Sequence, residues 1–202
     1  MNASAPYDQR LARHLVKPLA KIGVSPNQIT SASLGLTFVA AWLFAQGGSP
    51  AIHYAAGLFV LGRFLDHFDG ELARLSGKTS RFGYYYDYVA GALSYAALFV
   101  GIAIGQANHE LGAAAWVLGI AGAAASLISL VLNMDLDRVS ELEAGDAIGY
   151  PVLGGFELED GIYLLAPITW CGLLPAFFVA AGIGACIYCA WTAVRLIRLK
   201  RR

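Results

Sequence analysis

Charged side chains are scarce in this chain of 202 residues, where Asp, Glu, Lys and Arg make up 14% and hydrophobic residues 57%. So little charge, confined between long apolar runs, excludes a large soluble domain and is typical of a protein that spans a membrane. The formal net charge is zero, so the composition gives no reason to expect a nucleic-acid partner. The three cysteines lie in the last apolar runs, where we interpret them as packing residues and not as metal ligands.

The apolar runs predict an all-α membrane protein with six transmembrane helices. They cover approximately residues 29–45, 51–65, 84–105, 112–132, 161–174 and 176–199. A basic segment over 8–22 precedes them and predicts an interfacial amphipathic helix. Its apolar face would consist of Leu11, Leu15, Leu19 and Ile22. We expect a single domain over 1–202, with a juxtamembrane segment over 1–28 and a six-span bundle over 29–202.

The distribution of basic residues predicts the orientation of the chain. Every Lys and Arg lies in or beside a segment that six crossings would place on one side of the membrane. By the positive-inside rule, that side is the cytoplasm, so both termini and the connection over 66–83 are expected to be cytoplasmic. Basic residues near both termini would contact anionic membrane lipids. We therefore expect a multi-pass protein of the inner (cytoplasmic) membrane.

Three aspartates stand at the ends of the second and third apolar runs. Asp66 and Asp69 share one helix face, and antiparallel packing would bring Asp87 back beside them. A carboxylate inside a membrane costs about 2.5–3.5 kcal/mol, and clustering adds repulsion unless a cation compensates. Oxygen ligands of this kind suit Mg²⁺ or Mn²⁺, which commonly bridge carboxylates and a substrate phosphate. Solvated helix ends are the alternative explanation.

The residues around these aspartates suit a phosphate substrate. Arg74 can hold phosphate oxygens with two N–H groups, and Lys78 and Arg81 add positive charge, although positive-inside placement explains those two equally well. Small side chains would let a ligand approach the backbone. They belong to Gly70, Ala73 and Gly83.

The spacing resembles the signature of the CDP-alcohol phosphotransferase family, the class-I CDP-alcohol phosphatidyltransferases. The sequence reads D-x-x-D-G-x-x-A-R from Asp66 to Arg74, then eight residues, then G-x-x-x-D-x-x-x-G from Gly83 to Gly91. The family pattern ends in Asp, so seven of its eight fixed positions match. The stretch before the first apolar run, Pro-Asn-Gln-Ile-Thr, is similar to a P-N-x-x-T element at family N-termini.

The resemblance implies a reaction and a set of binding residues. A phosphatidyl group would pass from a CDP-linked lipid donor, such as CDP-diacylglycerol, to a small acceptor alcohol that the sequence does not identify, with release of CMP, in phospholipid biosynthesis. The protein would be a homodimer that uses Mg²⁺ or Mn²⁺. The metal ligands would be Asp66, Asp69 and Asp87. The donor would be bound by Asn27, Thr30, Gly70, Ala73, Arg74, Lys78, Arg81 and Gly83.

Gly91 stands where the family has its fourth Asp, which would complete a second metal site and take the acceptor's proton. Glycine does neither, and a positioned base contributes about 10²–10⁴-fold in rate. Three accounts remain open. His67 or Glu71 substitutes as the base, the chain binds metal and CDP-lipid without turnover, or the glycine was engineered to trap a complex. A small ion or solute transporter is a further alternative, but it gives no reason for the glycine, alanine and arginine spacing.

Two other groups of polar residues are interpreted mainly without a role in the reaction. The tyrosines beside Asp87, which include Tyr84 and Tyr88, predict an interfacial aromatic belt. Asp135 and Asp137 open an acidic stretch that we expect to be mostly solvated surface, with the alternative that one of its carboxylates folds back to replace the absent fourth Asp.

Overall fold

The computed structural model describes residues 15–140, 152–153 and 156–201, and this part of the chain is predominantly helical. Helix α1 covers residues 15–21. The long helices that follow are α2 (Pro26–Ala45), α3 (Ala51–Ser76), α4 (Arg81–Gln106) and α5 (Ala113–Val139). A short antiparallel pair comes next, β1 (Val152–Leu153) and β2 (Phe156–Glu157), then a 3₁₀ helix (Leu158–Leu164), α6 (Leu165–Trp170) and α7 (Leu174–Lys200). The predicted all-α membrane protein is confirmed. In the described ranges its only strands are β1 and β2, of two residues each.

The number of membrane crossings remains a prediction. Within the described residues, α2, α4, α5 and α7 are long and apolar enough to span a membrane. The predicted fifth run, over 161–174, consists of the 3₁₀ helix and the six-residue α6, and α7 begins at Leu174. This fifth run still lies antiparallel to α3. The ring of Tyr163 lies 6.5 Å from that of His67, and the indole N–H of Trp170 donates to the His53 carbonyl at 3.1 Å.

Capping residues determine where the first helices begin and end. Ser25 accepts a hydrogen bond from the Gln28 N–H and donates its own N–H to the Gln28 side chain, which starts α2. Gly77 ends α3 in the left-handed region at φ 66°, where a side chain would be strained. Ser80 accepts from the Gly83 N–H and starts α4. Because the connection between α3 and α4 is so short, their facing ends are held next to each other.

Helix α2 lies between α3 and α4, and it packs against each of them more extensively than they pack against one another. Helix α4 also packs on α5, α5 packs on α7, and α6 lies beside α3 and α7. The main hydrophobic core includes Phe44, Phe59, Leu98 and Phe178, all at most 2% exposed. A cleft therefore opens between α3 and α4 towards one end of the bundle.

Side-chain contacts join the start of α2, the end of α3, the start of α4 and the ends of α5 and α7. They link Thr30 with Asp69, Ser31 with Tyr86, Tyr84 with Asp137, and Asp135 with Lys200. These contacts define the polar end of the bundle. Long-range hydrogen bonding is concentrated there, which keeps the helix ends together around the cleft.

Helix α1 packs on this end of the bundle through Val16 and Leu19. Val16 is fully buried and lies in a small cluster with Ile29, Phe68 and Leu72, against which Leu19 also packs. Leu15 and Ile22 of the predicted apolar face are 45% and 74% exposed. Exposed apolar side chains at this position agree with contact to a membrane surface. Leu11 and residues 1–14 lie outside the described residues.

Candidate active site

The three predicted metal ligands come together at the mouth of the cleft. Asp66 and Asp69 lie one turn apart on α3, and Asp87 lies in the second turn of α4. Each offers a carboxylate oxygen, and these oxygens all lie within 4.8 Å of one another. The short connection between α3 and α4 places the carboxylates face to face, as expected from the antiparallel arrangement of the two runs.

Hydroxyl groups on α2 orient two of these carboxylates. Thr30 Oγ1 donates a short hydrogen bond to Asp69 Oδ2, and Asp69 is 5% exposed. Ser33 Oγ lies 3.4 Å from Asp66 Oδ1 and donates to the Gly62 carbonyl at 2.8 Å. Thr30 was predicted to contact substrate, and the structure gives it a carboxylate partner as well. Ser33 was missed by sequence analysis, although its spacing of three from Thr30 places it on the same face of α2.

Arg63 is a further residue of the site that the sequence did not single out. Its Nη1 lies 3.0 Å from Asp66 Oδ2, and its guanidinium carbon lies 4.9 Å from the centre of the Tyr95 ring. The residue is 5% exposed, so this cation is buried. A single Arg inside an apolar run, one turn before the first Asp, was the available signal, but the positive-inside rule explained it without a role.

A cavity of about 880 Å³ extends from the carboxylates into the bundle. The predicted donor-binding residues that line it are Asn27, Thr30, Gly70, Ala73, Arg74, Lys78 and Gly83. Arg81 is exposed and is not among the lining residues. The deeper walls are apolar and include Leu98, Phe99 and Phe177. A cavity of this size, with charged groups at one end and apolar walls at the other, suits a ligand with a charged head and an apolar tail.

Small residues keep the polar part of this cavity open. A Cβ at Gly83 would lie 3.3 Å from Asn27 Oδ1, and a Cβ at Gly70 would lie 3.5 Å from Arg74 Nη2. Arg74 Nη2 donates to Glu71 Oε1 at 2.8 Å, and the Arg74 side chain is 49% exposed. The guanidinium is therefore held at the cavity by Glu71 and remains accessible to a ligand.

The two predicted substitute bases have different surroundings. Glu71 lines the cavity but is 4% exposed and paired with Arg74. His67 also lines the cavity, is half-buried, and lies beside the Tyr163 ring. His67 is thus the better placed of the two, because it is the more exposed. Both roles remain predictions.

Gly91 lies one helical turn after Asp87, on the same face of α4. A Cβ built at this position would have Arg63 Nη1 as its nearest neighbour, at 3.8 Å. Gly91 also lines the cavity. A side chain at this position would therefore extend towards the cavity, beside the buried Arg63 guanidinium.

A second polar cluster lies on the α5 side of the cavity. Asp137 accepts hydrogen bonds from the hydroxyls of Tyr84 and Tyr88, both at 2.6 Å, and is 4% exposed. Its interpretation as solvated surface was wrong. Both tyrosines line the cavity, so they do more than form an interfacial belt. Sequence analysis could not pair these residues because they are 49 and 53 positions apart.

Similar proteins of known activity are synthases of inositol-containing phospholipids. An archaetidylinositol phosphate synthase from Pyrococcus horikoshii is 39% identical over 89 residues, which are 44% of this chain and 46% of the relative. A phosphatidylinositol phosphate synthase from Corynebacterium glutamicum is 31% identical over 159 residues, or 74% of this chain and 65% of the relative. The matched stretches thus span about half and about two thirds of these proteins.

Solved structures of a phosphatidylinositol phosphate synthase from Mycobacterium tuberculosis share the fold. One has CDP-DAG bound, with a TM-score of 0.61, 21% identity, and coverage of 93% of this chain and 94% of that chain. The other is a complex with manganese and citrate, also at a TM-score of 0.61 and 21% identity, with coverage of 92% and 88%. At this identity the likeness concerns the fold alone. The model of the CDP-alcohol phosphatidyltransferase family matches residues 23–194, and the chain belongs to that family.

Proposed function

We propose that the protein transfers a phosphatidyl group from a CDP-linked lipid, such as CDP-diacylglycerol, to an acceptor alcohol and releases CMP. The observation that carries this proposal is the convergence of Asp66, Asp69 and Asp87 at the polar mouth of a cavity with apolar deeper walls. A nucleotide-linked lipid needs both parts, because its diphosphate is charged and its acyl chains are apolar. Family membership and the names of the two relatives support the same reaction.

The carboxylates fit Mg²⁺ or Mn²⁺. Each contributes a hard oxygen ligand, and the 4.8 Å limit on their separation is close to the width of a coordination sphere, about 4.2 Å for Mg²⁺. The cluster contains no nitrogen or sulfur donor that would favour a softer metal. A bound ion would neutralise the diphosphate and stabilise the phosphate that leaves with CMP.

The protein's own residues would position the reactants. Thr30 and Ser33 orient the carboxylates, and Arg74 adds a cation where the diphosphate would lie. In the reaction, a bond forms between the acceptor oxygen and the phosphorus that carries the lipid alcohol. The bond from that phosphorus to the oxygen of the cytidine-bearing phosphate breaks. The acceptor's proton goes to a base, for which His67 is the better placed candidate.

We further propose that the polar end of the bundle faces the cytoplasm. Arg74, Lys78 and Arg138 lie near this end, and so does the basic end of α7, which follows the positive-inside rule. The donor and the released CMP would then meet the aqueous phase at the inner leaflet. The resemblance to the family also supports a homodimer in the inner membrane.

The acceptor class is proposed from the relatives. Both are named as synthases of an inositol phosphate lipid, so inositol phosphate is the acceptor to examine first. An acceptor with its own phosphate would need a further cation, and Arg138 at the end of α5 is one candidate.

The test is CMP release by the purified protein. The full chain, with Mn²⁺ and CDP-diacylglycerol, should release CMP when inositol phosphate is added, and chelation of the metal should abolish the release. Asp66→Asn is the matched inactive variant, because it keeps the size of the side chain and removes the charge. If Mn²⁺ and the donor raise the melting temperature but no acceptor in a panel of alcohols yields CMP, the protein binds CDP-lipid without turnover. If neither ligand changes the melting temperature, the proposed function is wrong.

A further inference from the structure

Arg63 and Gly91 face each other across the cleft. The Arg63 guanidinium is buried, contacts Asp66 and stacks on Tyr95, which is one turn beyond Gly91 on α4. The nearest atom to a Cβ at Gly91 would be Arg63 Nη1, at 3.8 Å. A side chain at position 91 would therefore lie in contact with a cation that comes from α3 and pairs with Asp66.

From this contact we infer that the Arg63 guanidinium takes the place of a second divalent cation, so that the carboxylate cluster holds a single ion. The inference rests on the proposed function, in which the cluster binds metal. Many enzymes that act on phosphate esters use two ions about 3.5–4 Å apart. In this chain the cavity beside Asp66 and Asp87, where a second ion would lie, is next to a guanidinium that stays protonated at any physiological pH.

The formal charges agree with one ion. Asp66, Asp69 and Asp87 carry three negative charges. One divalent cation and Arg63 together carry three positive charges, whereas two divalent cations and Arg63 would carry five. A second ion would also lack a carboxylate on the α4 side, since the residue one turn after Asp87 is Gly91. In the proposed reaction, Arg63 would supply fixed positive charge near the diphosphate through its contact with Asp66.

This arrangement changes what a Gly91→Asp substitution should do. The new carboxylate would lie within reach of Arg63 Nη1 and would form an ion pair with it, so it would be a poor ligand for another metal ion. Removal of the guanidinium as well would leave four carboxylates, which two divalent cations balance. Only the double variant should therefore gain a second ion.

The experiment is a count of bound Mn²⁺ per chain by electron paramagnetic resonance titration of the full-length protein in detergent. We expect about one ion in the wild type, about one in Gly91→Asp, and about two, with Mn–Mn dipolar coupling, in Arg63→Gln/Gly91→Asp. Arg74→Gln/Gly91→Asp is the matched control, since it removes another arginine of the same cavity, and it should bind about one.

Each other outcome is informative. Two ions in the wild type or in Gly91→Asp would overturn the inference, and so would one ion in a folded Arg63→Gln/Gly91→Asp variant. No bound ion in the wild type would overturn the proposed function together with it, whereas the other results leave a metal-dependent transferase intact.

A second measurement does not require the loss of Arg63. Gly91→Asp and Gly91→Asn should each bind about one Mn²⁺, because Arg63 pairs with the added carboxylate and keeps it from ligating a second ion. A second ion in Gly91→Asp alone would contradict the inference. This comparison decides the matter even if Arg63→Gln fails to fold.

Discussion

Helix α4 carries two pairs of glycines that do opposite things. At the polar end, a Cβ at Gly83 or Gly91 would meet only side-chain atoms, at 3.1 Å or more. At the other end, a Cβ at Gly101 or Gly105 would clash with backbone carbonyl oxygens of α2. The first pair leaves space for a ligand between helices that stand apart. The second pair lets two helix backbones come into contact, as small residues do in membrane helix pairs.

The difference shows how one helix pair supports both a stable bundle and an open site. Where α2 and α4 touch near Ala41 and Phe44, the contact is apolar and close. Towards the polar end, α2 contributes Thr30 and Ser33, which bond to carboxylates of α3 beside the cleft. The end at which α2 and α4 touch, which we call the close end, keeps these two helices together. The polar end positions charged groups that would otherwise repel one another.

The largest expected effect is at the polar end. Asp69→Asn removes a proposed metal ligand, and several kcal/mol of charge stabilisation correspond to a loss of CMP release of about 10³-fold. The melting temperature without metal should be retained, and Mn²⁺ should no longer raise it. Asp135→Asn is the control, because this half-exposed carboxylate at the same end pairs with Lys200 and should leave CMP release unchanged. Full activity of Asp69→Asn would contradict the assignment of the cluster.

The next effect is at the close end. Gly101→Val would push a side chain into the Ala41 carbonyl, and we expect it to destabilise the bundle by more than the ~1–3 kcal/mol of ordinary overpacking. Thermal unfolding in detergent measures the change. Gly35→Ala on α2 is the control, since a Cβ there has nothing within 4 Å. A normal melting temperature for Gly101→Val would show that the helices do not need this close contact.

A smaller effect is expected on Mn²⁺ affinity when the hydrogen bond that orients a proposed metal ligand is removed. Thr30→Val removes the hydrogen bond to Asp69 but keeps the shape of the side chain, and we expect Mn²⁺ affinity to fall about 10–100-fold. Thr37→Val makes the same change two turns further along α2, where the hydroxyl contacts Ser94, and should leave the affinity intact. Equal affinities in the two variants would rule out an orienting role for Thr30. Isothermal titration of Mn²⁺ distinguishes these outcomes.

The smallest effect is at the ends of α5 and α7. Lys200→Ala breaks the 2.9 Å ion pair with Asp135, whose side chains are 51% and 42% exposed. Because solvent screens such a pair, the loss of stability should be at most about 1 kcal/mol, and high salt should reduce it further. A shift of many degrees in the melting temperature would mean that this pair, and not the glycine contacts, holds the bundle together.

Much of the site was predictable because its parts are close in sequence. Asp66, Asp69 and Arg74 lie on successive turns of one helix, and Asp87 follows after one short connection. Local spacing is enough to place such residues on common faces. The pairing of Asp137 with Tyr84 and Tyr88 was not predictable, because it depends on how α5 packs against α4. The 3₁₀ segment in the fifth predicted run was not predictable for a related reason, since hydropathy does not distinguish a continuous α-helix from a 3₁₀ segment followed by a short helix.

The apolar helices, the carboxylates near the ends of two of them, and the family signature all follow from the order of residues along the chain. Periodicity and spacing are local properties, so they can be recognised without a structure. The contact between Arg63 and Gly91 depends on the fold, because helix rotation and the width of the cleft set which residues meet between α3 and α4. Those quantities depend on close packing along the whole length of α2, which no local pattern of residues specifies.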